Sequence, residues 1–169
     1  MDPVAKRVLE ILEEAYPDPV RGGDIAARLG LSRQTIVKVV AVLRSMGEKI
    51  VATPRGYILD RGDMVEEIIA VKHGEFDIEE EISIIVEEGC IVADVIVEHP
   101  VYGEIRGNLD IRNRGDLTKF LARMRSFGAK PLLTLSGGVH LHTLRGMDRE
   151  SLERVKRRLK ERGFLLELT

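Results

Sequence analysis

The stretch GGDIAARLGLSRQTIVKVVA, residues 22–41, decides how this chain is read. It forms two short helices joined by a tight turn. Asp24 is placed to cap a first helix whose buried side is Ile25, Ala26 and Leu29. Gly30 supplies the left-handed position that ends that helix, and Leu31 tucks under the turn. Ser32 is a strong N-cap for the next helix, along which Ile36, Val39, Val40, Leu43 and Met46 recur at helical spacing. Ser32, Arg33, Gln34, Thr35 and Lys38 stand at the outward start of this second helix, where they can hydrogen-bond base edges and phosphates. An ordinary helix pair with a polar face has the same periodicity. Here the small residue, the turn glycine and the capping serine also fall where a DNA-reading helix-turn-helix needs them.

Downstream, in Lys49 to Leu59, two β-rich runs flank Pro54-Arg55-Gly56, a turn signal. A hairpin directly after a recognition helix is the wing of a winged helix, and Arg55 belongs at its tip, near the DNA backbone or minor groove. Upstream, Val4, Val8, Ile11, Leu12 and Ala15 stripe a first helix that stops at Tyr16-Pro17-Asp18-Pro19. Residues 1–60 therefore read as a winged-helix domain and resemble the DNA-binding domain of the biotin operon repressor type. Charge agrees. Arg21 to Arg55 holds seven basic residues against two acids, while Glu66 to Glu104 holds twelve acids against one base, Lys72. The whole chain is near neutral, at −2, so a generally sticky basic protein is excluded, whereas one basic end suits a regulator that docks DNA with that end only.

Residues 61–64 form a polar, glycine-containing joint, and 65–169 form the second domain. Strands are expected over Val65 to Lys72, Ile91 to Val97, Glu104 to Ile111, Leu132 to Leu135, Val139 to Leu144 and Phe164 to Leu168. Helices are expected over Asp77 to Glu88, Asp116 to Phe127 and Met147 to Arg162, the first capped by Asp77. The joints are too short for a doubly wound sheet. The economical fold is α+β, with an open, mostly antiparallel sheet and helices on one face. The single cysteine, Cys90, opens a hydrophobic strand and reads as a buried, inert thiol. No run approaches membrane-spanning length, so a cytoplasmic location is expected.

All four histidines lie in the second domain. His140 and His142 are two apart on an expected strand, so both rings project from one face. His73 follows the first strand. Glu81 shares a helix side with Ile78, Ile82 and Ile85, on the margin of the core-facing stripe, where a carboxylate is costly without a cation. A His-X-His pair on a strand is often mere polar decoration. Three imidazoles and one carboxylate, brought together, form a donor set for zinc or another borderline divalent transition metal.

The motifs LSRQ (31–34), ATPRGY (52–57), VKH (71–73), VEHPVYG (97–103), PLLTL (131–135) and GGVHLHT (137–143) resemble those of the niacin-responsive transcriptional repressors, over nearly the whole chain. The second domain is similar to that family's three-histidine domain. The resemblance implies a phosphocarrier-like α/β regulatory fold, a divalent metal on His73, Glu81, His140 and His142, and nicotinic acid as the signal. It also implies control of genes for NAD biosynthesis or niacin uptake. Zinc and nickel lead the candidate metals.

The expected partners are double-stranded operator DNA, nicotinic acid as effector, and a second copy of the chain. The homodimer is expected because one winged helix reads only a short half-site. His99, Tyr102 and Arg106 are the candidates to surround an aromatic carboxylate beside the metal, with nicotinate acting as corepressor. Two other readings stay open: a repressor for which the metal itself is the signal, and a small metallohydrolase fused to a DNA-binding module, with Glu98 as its second carboxylate. No nucleophile stands next to a histidine and no paired general base recurs at helical spacing, so the enzyme reading has little to rest on.

Overall fold

A computed structural model of the chain describes residues 1–168 and divides them into two compact units, Met1–Gly62 and Asp63 onward. The first unit comprises α1 (Pro3–Ala15), α2 (Gly22–Leu29), α3 (Arg33–Ser45), β1 (Ile50–Thr53) and β2 (Gly56–Leu59). Its core is aliphatic: Val8, Ile11 and Leu12 of α1 meet Ile25 of α2 and Ile36, Val40 and Leu43 of α3. Asp2 caps α1 by accepting from Val4 and Ala5 N–H.

Helix α2 starts earlier than the sequence suggests. Arg21 is its N-cap without a side-chain bond, so Asp24 is a first-turn acid that favours the helix dipole and not the cap. Gly30 ends the helix at φ 67°. Met46 also departs from expectation. It lies just past the end of α3 and is 57% exposed, the buried stripe stopping at Leu43.

Strands β1 and β2 pair antiparallel, Ile50 opposite Leu59 and Thr53 opposite Gly56. Val20 adds a third backbone partner through two 2.8 Å bonds with Tyr57. This close approach requires Gly56: a Cβ there would lie 2.5 Å from the Val20 carbonyl, at a φ of 128°.

The second unit runs β3 (Val65–Lys72), α4 (Ile78–Glu87), β4 (Ile91–His99), β5 (Gly103–Ile111), α5 (Arg114–Ser126), β6 (Val139–Gly146) and α6 (Arg149–Glu161). Its sheet order is β3-β6-β4-β5, antiparallel throughout. Ile69, Val71, Val92, Ile111 and Leu144 meet the apolar residues of the three helices in one cluster, whereas Ile68, pointing the other way from β3, is 57% exposed. The fold is therefore α+β with the helices on one face, as expected. Cys90 is fully buried in this core, and burial pushes its thiol pKa up.

Two expected strands are not strands. Leu132–Ser136 is a 3₁₀ turn, because Thr134 bonds back to the Pro131 carbonyl through both its N–H and its hydroxyl. Phe164 to Leu168 contributes one bridge, Leu165 to Val71, along the outer edge of β3, while Phe164 buries itself in the core. Asp77 stands at the start of α4 but makes no capping bond, since a 3₁₀ turn over Glu75–Asp77 leads in.

Candidate nucleic-acid interface and candidate metal centre

Ser32 caps α3 by accepting from Thr35 N–H at 3.1 Å, and the two hydroxyls are 2.8 Å apart. Thr35 is thereby half-buried and tied to the cap. Arg33, Gln34 and Lys38 are exposed. Val37, one turn beyond Arg33, shares their outward face and is 46% exposed, an apolar surface suited to a thymine methyl group that the periodicity did not single out. In the wing, Thr53 accepts from Arg55 N–H at 3.1 Å and donates its hydroxyl to the Gly56 carbonyl at 2.8 Å, which braces the turn carrying Arg55.

In the second unit, Glu81 of α4 is only 1% exposed. Its Oε2 contacts His73 Nε2 and lies 3.2 Å from His140 Nε2, and its Oε1 lies 2.6 Å from His142 Nε2. All three histidines are buried. The sheet register assembles the set: Val71 opposite His140 and Ile69 opposite His142 place β6 beside the strand that delivers His73. The donor atoms of His73, Glu81 and His140 all lie within 4.8 Å of one another, so these three could hold a metal ion, with His142 on the carboxylate's other oxygen.

The opposite ring nitrogens decide what the centre can do. His73 Nδ1 faces the Gly74 carbonyl at 2.8 Å, His140 Nδ1 the Gly138 carbonyl at 2.8 Å, and His142 Nδ1 the Asp94 carbonyl at 2.7 Å. A carbonyl only accepts, so each Nδ1 carries the hydrogen and, in the neutral ring, each Nε2 turns a lone pair inward. Three lone pairs then face a carboxylate, an arrangement that only a cation, either protons or a metal, makes favourable. The donor set and its outer carbonyls fit a divalent transition metal. Burial works against charge on His73 and His142, but the hydrogen bonds and charge of Glu81 outweigh it and raise both pKa values. Burial likewise opposes the Glu81 anion, and the histidines overcome it, holding the carboxyl well below its usual range.

Outer contacts extend from the ring of carbonyls. A bulge in β4 between Val92 and Asp94 turns the Asp94 carbonyl to His142, while the Asp94 side chain accepts from Thr143 N–H at 2.8 Å and from Arg106 at 2.5 Å. Arg106 is thus committed to Asp94. His99 and Tyr102 sit at the β4–β5 turn, where His99 Nδ1 accepts from Val101 and Tyr102 N–H at 3.1 and 3.3 Å.

The centre opens instead onto a cavity of about 190 Å³. Glu81, His140 and His142 line it at one end, apolar side chains including Val95, Leu109, Phe120 and Leu132 form its walls, and the exposed Lys130 adjoins it. Among the described residues, none of His99, Tyr102 and Arg106 lines it. No side-chain pattern announced this cavity, because its walls come from separate elements.

A DNA-reading winged helix joined to a histidine–carboxylate ligand domain defines a class of two-domain regulators. The chain belongs to the 3H domain family, whose model matches residues 66–168, and an HTH domain model matches residues 4–58. It is 50% identical over 163 residues, covering 96% of this chain and 93% of the other, to the probable transcription repressor NiaR of Thermotoga maritima. It is 36% identical over 153 residues, covering 88% and 85%, to the transcription repressor NadR of Bacillus subtilis. An uncharacterized protein of Methanothermus fervidus is 32% identical over 155 residues, which cover 81% of this chain but 24% of that protein. These likenesses place the chain among transcription regulators and not among enzymes. Among the described residues, no helix is long and apolar enough to cross a membrane.

Proposed function

We propose that this chain is a cytoplasmic, homodimeric transcription repressor that binds operator DNA through α3 and the β1–β2 wing and answers to nicotinic acid. His73, Glu81, His140 and His142 hold one divalent transition metal, zinc or nickel first. The observation that carries this reading is the convergence of three Nε2 atoms on one buried carboxylate beside a cavity of single-ring size.

Size sets the class of effector. A dry protein cavity of about 150 Å³ accepts benzene. The 190 Å³ here suits one six-membered ring with a small substituent and is too small to enclose a whole dinucleotide. The walls are apolar, as a ring needs, and the polar groups converge at the metal end. When bound, the metal supplies a Lewis-acidic positive charge facing the cavity. Nicotinic acid fits this description, and the regulated genes are those of NAD biosynthesis or niacin uptake, as the resemblance of this chain's motifs to the niacin-responsive repressors implies.

Effector occupancy sets DNA affinity only insofar as nicotinate prefers the DNA-competent arrangement. Operator binding titrated with metal alone, nicotinate alone and both tests the reading. Tight binding that needs both supports it. Tight binding with metal alone makes the metal the signal, and indifference to both removes the regulatory role.

A further inference from the structure

We propose that Lys130 is the residue by which this cavity selects an acid over its neutral amide, holding the effector's carboxylate at the mouth while the ring heteroatom faces the histidine–carboxylate end. The inference rests on nicotinic acid being the effector.

The lining of the cavity is polar in two places. Buried Glu81, His140 and His142 occupy the inner end, and exposed Lys130 occupies the outer one. Between them the walls are apolar, including Val95 from β4, Leu109 from β5 and Phe120 from α5. A ligand that fills this space therefore needs an apolar ring with a polar group at each end. The ends differ in chemistry. A divalent metal held by the inner donors would take an uncharged ring nitrogen as it takes an imidazole, which leaves the ligand's carboxylate for the other polar group. Lys130 is the one lysine or arginine lining the cavity among the described residues, and no ion pair or side-chain hydrogen bond holds it. The other base considered from the sequence, Arg106, is already paired with Asp94.

Selection by charge has a recognisable signature. Losing the ammonium removes a charge-assisted, ion-paired hydrogen bond from the acid and only a weaker hydrogen bond to a neutral carbonyl from the amide. At an exposed mouth, solvent screening reduces the effect to about tenfold in affinity.

The experiment is calorimetry on the full, metal-loaded chain with nicotinate and, separately, nicotinamide. Lys130→Met keeps the aliphatic stem, and Lys130→Arg restores a cation. The wild-type protein should prefer nicotinate. Lys130→Met should lose about tenfold for nicotinate and distinctly less for nicotinamide, with metal content unchanged, and Lys130→Arg should recover most of the loss. Added salt should weaken nicotinate binding to the wild type more than to Lys130→Met. Unchanged nicotinate affinity in Lys130→Met, with the wild type binding normally, overturns the role of Lys130 and leaves the effector assignment standing. Failure of the wild type to bind nicotinate overturns that assignment, and this inference with it.

Discussion

At the scale of single residues, the candidate metal centre is a problem of keeping one carboxylate ionised in a dry place. Glu81 has three imidazoles as neighbours, and each imidazole is oriented by a backbone carbonyl. Removing His140 and His142 together takes away two of four donors, so the double alanine variant should purify without stoichiometric metal by elemental analysis while its winged helix still binds DNA nonspecifically. Glu81→Gln should weaken metal binding less, because an amide oxygen occupies the same place as a poorer ligand. Full metal content in the double histidine variant would move the site elsewhere. Gly138 offers a second test. Its carbonyl accepts from both His140 Nδ1 and His73 N–H, and a Cβ on it would sit 2.7 Å from the His73 carbonyl oxygen at a φ of 93°. Gly138→Ala should therefore cost on the order of 1–3 kcal/mol of stability in chemical denaturation and weaken metal binding too, although it touches no ligand atom. Three of the four donors were legible in the sequence as residue types on one strand face and one helix side, and His73 only as a histidine just after the first strand. Their orienting carbonyls were not, because every residue carries one and only the fold chooses which are used.

At the scale of elements, α3 separates residues that build the motif from those proposed to read DNA with it. Ser32 and Thr35 are spent on the cap, while Arg33, Gln34, Val37 and Lys38 face outward. Arg33→Ala should cost about 1–3 kcal/mol of operator affinity and relax specificity at one base pair if it reads a guanine. Arg55→Ala should weaken all sequences alike and reduce the salt slope by roughly one unit, the mark of a phosphate contact. Undiminished operator binding by an Arg33→Ala, Lys38→Ala protein would remove α3 as the reading helix. The turn glycine and capping serine made this element legible from local rules. The 131–135 segment shows where those rules stop: its apolar residues suit a strand, yet the Thr134 side chain bonds the local backbone and closes a 3₁₀ turn.

Helices α4 and α6 carry a different kind of information, in charge. Glu80 pairs with Arg162, Glu87 with Arg158 and Arg114, and Glu88 with Arg154 and Arg158. Their arginine hydrogen bonds hold all three carboxyls below the usual glutamate range. Depressed folded-state values mean that this stabilisation is present above the ordinary carboxylate range and disappears as the pH falls through the lowered ones. The urea midpoint of the second unit should therefore drop on acidification, and the Glu80→Gln, Glu87→Gln, Glu88→Gln protein should show a shallower drop. A parallel acid profile for the triple variant would move the effect from these pairs to the histidine centre and to Asp148 and Glu153, whose carboxyls are also held low. These pairs are exposed, so high salt should erase much of the difference.

At the scale of the whole molecule, the chain is two compact units with separate aliphatic cores, one of which contains every proposed metal donor. The boundary near Gly62 was readable from a polar, glycine-containing joint. The cavity was not, since it exists only when β4, β5, α4 and α5 are brought together. Confinement of the proposed metal to one unit has a thermodynamic consequence. A ligand that binds only the folded form stabilises that form by about 4 kcal/mol when its free concentration is a thousand times its dissociation constant. Chelation should thus lower the melting transition of the second unit by several degrees, and nicotinate should raise it only when metal is present. The transition of residues 1–62, followed separately in a protein carrying a reporter on α1, should not move with metal in the absence of DNA. Equal shifts of both transitions on chelation would mean that the units unfold as one cooperative body. A nicotinate shift in the chelated protein would mean that the effector is held without the metal, and the role assigned to His73, Glu81, His140 and His142 would then be structural only.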